Sequence, residues 1–164
     1  MNETIRACRL YVMVGAPGSG KSTWAKKHLV NDHTKYISRD EVRFSLLGPD
    51  DDYFSKEKEV WKKFMDLVQH AVNEEGVDVV VDASHLDKWS RRKLTNAFDD
   101  ALTYPWEIYY VVMDTSYEEC CHRNDNRSGR ANVPHNVILE MYEKMTYPRL
   151  SEHHNIKGVW IVRE

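Results

Sequence analysis

Apolar residues recur along the chain in two alternating modes, as short continuous runs and as longer stretches stepped by three or four residues. Leu10 to Val14 and Val77 to Val81 are compact and valine-rich, and Tyr36 to Ser38, Trp106 to Met113 and Gly158 to Val162 have the same character. Runs this short, bounded by turn-forming residues, predict strands buried on both faces. Between them, Ser22 to Val30, Glu41 to Leu47, Lys56 to Glu75, Asp87 through about Leu102, Ser116 toward Arg123, and Val133-Pro134 through about Thr146 predict helices. The pattern is plainest after Lys56, where Val60, Trp61, Phe64, Met65, Leu67, Val68, Ala71 and Val72 share one face and Gly76 ends the stretch. Asp87 is placed to cap its helix, and Ser116 with Glu119 has the spacing of a capping box. Trp24, Trp61, Phe64 and Tyr142 fall at core positions. Strands alternating with helices predict an α/β fold, a parallel five-stranded sheet with helices on both faces and its ligand side at the carboxyl ends of the strands. The pattern does not set the strand order.

Length and charge narrow the picture. A chain of 164 residues, 41% hydrophobic, is expected to form a single domain over residues 1–164. A net charge of -3 argues against indiscriminate binding of long polyanions, so any such contact must be local. Cys8, Cys120 and Cys121 are odd in number and include an adjacent pair, which points to a reducing compartment and, by default, the cytoplasm. No apolar run approaches the length of a membrane span, and Met1 to Arg9 lacks the apolar centre of a signal peptide, so a soluble, unexported protein is expected. Adjacent cysteines cannot comfortably share a tetrahedral site, so Cys120-Cys121-His122 reads as packing rather than a metal centre.

The candidate chemistry begins at Gly15-Ala16-Pro17-Gly18-Ser19-Gly20-Lys21-Ser22, which has the spacing of a P-loop and stands between a strand and a helix as that motif requires. Its glycines allow positive φ, so that backbone N–H groups turn toward phosphate oxygens at the positive end of the helix. A nucleoside triphosphate is the implied ligand, with Gly15, Ala16, Gly18, Ser19, Gly20, Lys21, Ser22 and Thr23 as its expected contacts. Lys21 would follow the β- and γ-phosphates and Ser22 would suit Mg²⁺.

A P-loop identifies the donor and leaves the acceptor open. Asp40, at the end of the second strand, has the chemistry to take a proton from an attacking hydroxyl, and Arg43, one turn on, to contact the phosphoryl group. Spacing equally allows Asp40 to be a helix cap, with Arg43 on a solvated face. Asp82 ends the third strand, where a carboxylate associates with Mg²⁺ directly or through water, or is simply a polar strand end. Arg123, Asp125, Arg127 and Arg130 lie between two helices, as a lid that closes arginines over the phosphates or as a charged surface loop. Lys88, Arg91, Arg92 and Lys93 are a dense basic run that suits either a solvated helix face or phosphate contacts to an acceptor strand.

Taken together, Gly18-Ser19-Gly20-Lys21-Ser22-Thr23-Trp24-Ala25, Ser38-Arg39-Asp40-Glu41-Val42-Arg43, Val81-Asp82-Ala83-Ser84-His85-Leu86 with Arg91-Arg92, and Arg123-Asn124-Asp125-Asn126-Arg127 before Val133-Pro134 resemble the polynucleotide 5′-kinases of the phage type, a branch of the P-loop phosphotransferases. The resemblance covers most of the chain. It implies a nucleotide-kinase-like P-loop fold with a short arginine-bearing lid, ATP with Mg²⁺ as donor, and a DNA or RNA 5′-hydroxyl end as acceptor. It implies that Asp40 is the general base and that Arg43 contacts the transferring phosphate. Arg127, helped by Arg123, would clamp the donor phosphates, and Asp82 and Arg91 would lie on the acceptor side. The lid is one residue longer before Val133-Pro134 than the family pattern, which leaves Arg127 and Arg130 both open as the clamping arginine. No Asp-x-Asp-x-Thr motif occurs, so removal of 3′-phosphates is not expected. Two other readings stand beside this one. One is a P-loop kinase acting on a small-molecule or aminoacyl-tRNA hydroxyl, and the other is a nonenzymatic nucleotide-binding module, which would need Lys21 and Ser22 but have no use for Asp40.

Overall fold

A computed structural model describes residues 4–163. Its five strands, β1 (Cys8–Val14), β2 (Thr34–Ser38), β3 (Asp78–Asp82), β4 (Trp106–Met113) and β5 (Ile156–Val162), form one sheet in the order β2-β3-β1-β4-β5. Every neighbouring pair is parallel, and β1 is central, with Val12 opposite Val81 on one side and Tyr110 on the other. The unbroken apolar run of β1 is explained by burial on both faces, because successive side chains point to opposite sides of a sheet. Leu10, Val12 and Val14 join Val79, Val81, Ile108 and Val112 under α3 (Glu57–Gln69) and α4 (Lys88–Ala101), which contribute Phe64, Val68, Leu94 and Phe98. Tyr11 and Met13 face the other way, with Val80, Val111 and Met113, and meet Ala25 and Trp24 of α1 (Lys21–His28). The expected α/β sheet with helices on both faces is therefore the observed one.

The remaining helices, α2 (Arg39–Leu46), α5 (Tyr117–Asp125) and α6 (His135–Lys144), belong to the carboxyl end of the sheet. There Ala16 of the glycine loop, Cys120, Cys121 and Ile138 form a small third cluster that fastens the loop to α5 and α6. All three cysteines are buried and unpaired. The cysteine pair thus packs as expected.

Several boundaries depart from the pattern. The stretch from Lys56 to Glu75 is α3 followed by a π-helical turn, His70–Glu74, closed by Gly76 at φ 62°. Ser116 does accept the Glu119 N–H (3.2 Å), but the Glu119 carboxylate turns to Arg123 (3.0 Å), so among the described residues the bond back from Glu119 that would complete the box is not made. Asp87 caps α4 through Ser90 N–H at 2.8 Å, as its position predicted. Phe64 is a core residue, whereas Trp61 is only partly buried and lies between Arg39 and Lys93, 5.3 and 4.4 Å from its ring centroid.

Candidate active site

The loop after β1 is shaped by what lies against it. Gly15 N–H donates to the Ser84 carbonyl at 3.1 Å, and a Cβ at Gly15 would stand 2.4 Å from Ser19 Oγ. Gly18 has φ +81°, and a Cβ there would be 2.3 Å from the Cys120 carbonyl oxygen. Close approach and backbone sign therefore both demand glycine. The Ser19 carbonyl is held from α5's side by Thr115 Oγ1 (2.8 Å) and Arg123 Nη1 (3.2 Å). Gly20 caps α1 in the left-handed region with no side chain bonded to the first turn. The N–H groups of that turn have no intrahelical partners, which is the arrangement that receives a phosphate.

Lys21 folds back onto this loop, its Nζ donating to the Gly15 (2.9 Å) and Ala16 (3.2 Å) carbonyls. Burial lowers its pKa; the carboxylates of Asp82 and Asp40 oppose that shift and the Arg127 guanidinium adds to it, so all three lie within electrostatic reach. Ser22 Oγ donates to Asp82 Oδ2 at 2.7 Å, and the Tyr36 hydroxyl makes a short bond to the same oxygen. Burial and the adjacent Asp82 charge push the Tyr36 hydroxyl well up, so it stays a neutral donor. A hydroxyl beside a carboxylate is a hard-oxygen donor set that fits Mg²⁺, an ion that takes one or two protein oxygens and completes its shell with phosphate and water. Among the described residues no group of three or more His, Cys, Asp or Glu is gathered as an all-protein metal cage.

At the end of β2 the cap is Ser38, whose Oγ accepts the Glu41 N–H at 3.2 Å. Asp40 is thereby released from capping. Its Oδ1 accepts instead from Arg43 Nη1 in a short contact and from the Tyr53 hydroxyl at 2.6 Å. Arg43 is not on a solvated face: it is 5% exposed and braced by Glu57 through Nε (2.9 Å) and Nη2 (3.2 Å), with Nη1 also on Tyr53 (2.8 Å). Among the described residues four of the five guanidinium donors are engaged in this way, leaving one on Nη2. The Asp40 side chain is 58% exposed. Glu57 and Tyr53 escaped the sequence reading because each is remote from Asp40 along the chain, one at a helix start and one in the segment between two helices.

Three arginines of the lid do three different things. Arg123 holds the Ser19 carbonyl and Glu119. Arg130 Nη2 gathers the carbonyls of Gly48 (2.8 Å), Pro49 (3.1 Å) and Asp51 (2.7 Å). Arg127 is exposed and, among the described residues, its side chain makes no hydrogen bond or ion pair. Buried Asn124, another residue without a sequence signal, pins the lid's two ends through Val133 N–H (2.8 Å) and C=O (2.7 Å).

Arg91 corrects an expectation. It is 2% exposed and its guanidinium bonds Glu152, Thr146 and the carbonyls of His85 and Leu86, so it is not presented to an acceptor. Its neighbours Lys88, Arg92 and Lys93 keep the exposed side of α4. The basic run is thus split, because one of its members faces inward at helical spacing.

Residues 10–148 match the AAA domain family. A protein of Autographa californica nuclear polyhedrosis virus that carries the name of a bifunctional polynucleotide kinase/RNA ligase is 27% identical over 154 residues, covering 83% of this chain and 20% of its own length. A chain from the Pnkp1/Rnl/Hen1 RNA repair complex superposes with a TM-score of 0.68 at 25% identity, over 87% of this chain and 45% of that one. A fungal RNA kinase shares the fold, with a TM-score of 0.62 at 15% identity over 96% of this chain and 75% of its own. The chain therefore spans a fifth of the viral relative and less than half of the repair-complex chain.

Proposed function

The chain belongs to the AAA domain family, a nucleotide-binding P-loop lineage, and from that premise we propose that it is a kinase that moves the γ-phosphate of ATP to the 5′-hydroxyl end of a polynucleotide, DNA or RNA. The observation that carries this reading is the freeing of Asp40. Ser38 takes the cap, Arg43 and Tyr53 fix one carboxylate oxygen, and the exposed carboxylate lies within electrostatic reach of Lys21. A switch module has no use for such a group, whereas a phosphotransferase needs one. The names carried by the viral relative and by the repair-complex chain favour a nucleic-acid end over a small alcohol.

In this mechanism Asp40 takes the proton of the 5′-hydroxyl as its oxygen bonds to the γ-phosphorus and the bond to the β,γ-bridging oxygen breaks, releasing ADP. Lys21 leaves the Gly15 and Ala16 carbonyls for the β- and γ-phosphates, and the first-turn N–H groups of α1 hold the same oxygens. Ser22 directly, and Asp82 directly or through water, would hold Mg²⁺, which supplies charge neutralisation on the phosphates. Arg127, whose guanidinium makes no hydrogen bond or ion pair among the described residues, is the lid arginine that closes on the donor, while Arg130 is engaged elsewhere. The remaining Nη2 donor of Arg43 would serve the transferring phosphoryl group or the acceptor. Residues 1–164 act as one kinase domain. Among the described residues no helix is long and apolar enough to cross a membrane, and the cytoplasm suits three unpaired cysteines.

The test is transfer of labelled γ-phosphate from ATP, with Mg²⁺, to 5′-hydroxyl DNA and RNA oligonucleotides beside a panel of small alcohols. Label on an oligonucleotide that disappears with Asp40→Asn is the expected result. Label confined to a small alcohol would overturn the polynucleotide assignment, and no label on any acceptor would overturn the kinase.

A further inference from the structure

The segment between α2 and α3 touches both halves of the site. Gly48, Pro49 and Asp51 give their carbonyls to Arg130 of the lid, at 2.8, 3.1 and 2.7 Å. Two residues further on, the Tyr53 hydroxyl donates to Asp40 Oδ1 at 2.6 Å and accepts from Arg43 Nη1 at 2.8 Å. The stretch is stiff between these points. The Asp51 carboxylate accepts the Gly48 N–H (2.7 Å) and pairs with Lys56 (3.3 Å), and Lys56 Nζ also donates to the Leu46 carbonyl (2.8 Å). The Tyr53 ring lies 4.3 Å from the Arg43 guanidinium and 4.6 Å, edge to face, from Phe54.

We infer that Tyr53 is a positioning residue for the base and that Arg130 sets Tyr53 from the lid, so that the segment over the donor phosphates and the carboxylate that meets the acceptor move as one body. The inference rests on the proposed role of Asp40. Two donors on Oδ1 leave Oδ2 of that carboxylate for the incoming hydroxyl and fix its direction, which is the geometric requirement for attack in line with the leaving oxygen. Burial and the Asp40 charge push the Tyr53 hydroxyl well up, so it remains a donor across the neutral range. Arg130 does not need to touch the nucleotide to matter. It holds the lid against the same loop that carries Tyr53, and a lid displaced from that loop would leave the carboxylate with one donor in place of two.

The experiment compares Tyr53→Phe, Arg130→Ala, Arg130→Lys, the Tyr53→Phe/Arg130→Ala pair and Asp40→Asn, each checked for a cooperative thermal transition. ATP affinity is measured by direct titration apart from turnover. Tyr53→Phe keeps the ring on Arg43 and is expected to lower kcat roughly 10- to 100-fold, as a small misplacement of a catalytic group does, with ATP affinity within about twofold. Arg130→Ala should lower kcat in the same way with ATP affinity unchanged, and Arg130→Lys should recover part of it. The pair should be no worse than the weaker single variant, because both act through one loop. Wild-type kcat in Tyr53→Phe and Arg130→Ala, beside an inactive Asp40→Asn, would overturn the inference and leave the base intact. Loss of ATP affinity in Arg130→Ala would also overturn it, making that arginine a phosphate ligand. Full turnover in Asp40→Asn would remove the base itself and the inference with it.

Discussion

Asp40 is left open because a neighbour relieves it of capping. A serine two residues earlier accepts the helix N–H, and the aspartate that spacing alone could have assigned to that duty is left with one oxygen bonded and an exposed side chain. Asp40→Asn therefore leaves the cap in place, and the expected outcome is a fold of near-native stability with turnover lowered by about two to four orders of magnitude, read in the phosphate-transfer assay. The glycine loop makes an opposite kind of demand, for absence of a side chain. Gly18→Ala adds a methyl 2.3 Å from a backbone carbonyl at positive φ, so it should cost about 1–3 kcal/mol in denaturant unfolding and weaken nucleotide binding in titration. A neutral result in both would mean that α5 yields freely, against the packing of Cys120, Cys121 and Ile138 beneath it.

Among the elements, α4 shows how a charged residue serves a helix without serving a ligand. Arg91 joins α4 to the Leu86 and Thr146 carbonyls and to Glu152 in the turn Leu150–Glu152, so one guanidinium ties three segments that share no strand pairing. Glu152→Ala strands that buried cation and should cost about 3–5 kcal/mol, measured by denaturant unfolding, with acceptor KM unaltered in the folded protein. A raised KM at unchanged stability would return Arg91 to the acceptor side.

The same helix shows what the sequence could and could not reveal. The strands, the Asp87 cap and the core stripe of α3 were legible because they depend on residues within a few positions of each other. The loop motif was legible for the same reason. The partners of Arg91, Asp40 and Arg130 were not, since Glu152, Tyr53 and the Gly48 to Asp51 carbonyls come to them only through the tertiary fold. Helical spacing would have put one member of the run Lys88, Arg91, Arg92, Lys93 inward, and Leu94 and Phe98 of the core stripe mark the inward face on which Arg91 lies.

For the whole molecule, acid is the informative perturbation. His85, at φ 47° just past β3, is buried, and its Nδ1 must carry the proton it donates to the Met13 carbonyl at 2.9 Å. Burial lowers its pKa from the ordinary 6.5 to about 4. Between those values the unfolded chain holds a proton that the native ring lacks, so this contribution is present above pH 6.5 and is lost as pH falls toward 4. Unfolding free energy should drop by about 2 kcal/mol between pH 7 and pH 5 from this group alone. In His85→Asn, a residue that tolerates the same backbone, that part of the slope should vanish. An unchanged slope would assign the acid sensitivity to the carboxylates.

The seat of the glycine loop also has a history in time. Gly15, Gly18 and Ser19 are made early, yet the groups that hold them are the Ser84 carbonyl, the Cys120 backbone and the Thr115 hydroxyl. The strand that leads into the loop has both its sheet neighbours far downstream, at Val81 and Tyr110. With synthesis at about 5–20 residues per second and parallel pairing slow to close, the phosphate cradle waits for most of the chain. A nascent chain halted before β3 holds the whole motif and none of its grip, so nucleotide first meets this protein as a finished fold rather than as a template for one.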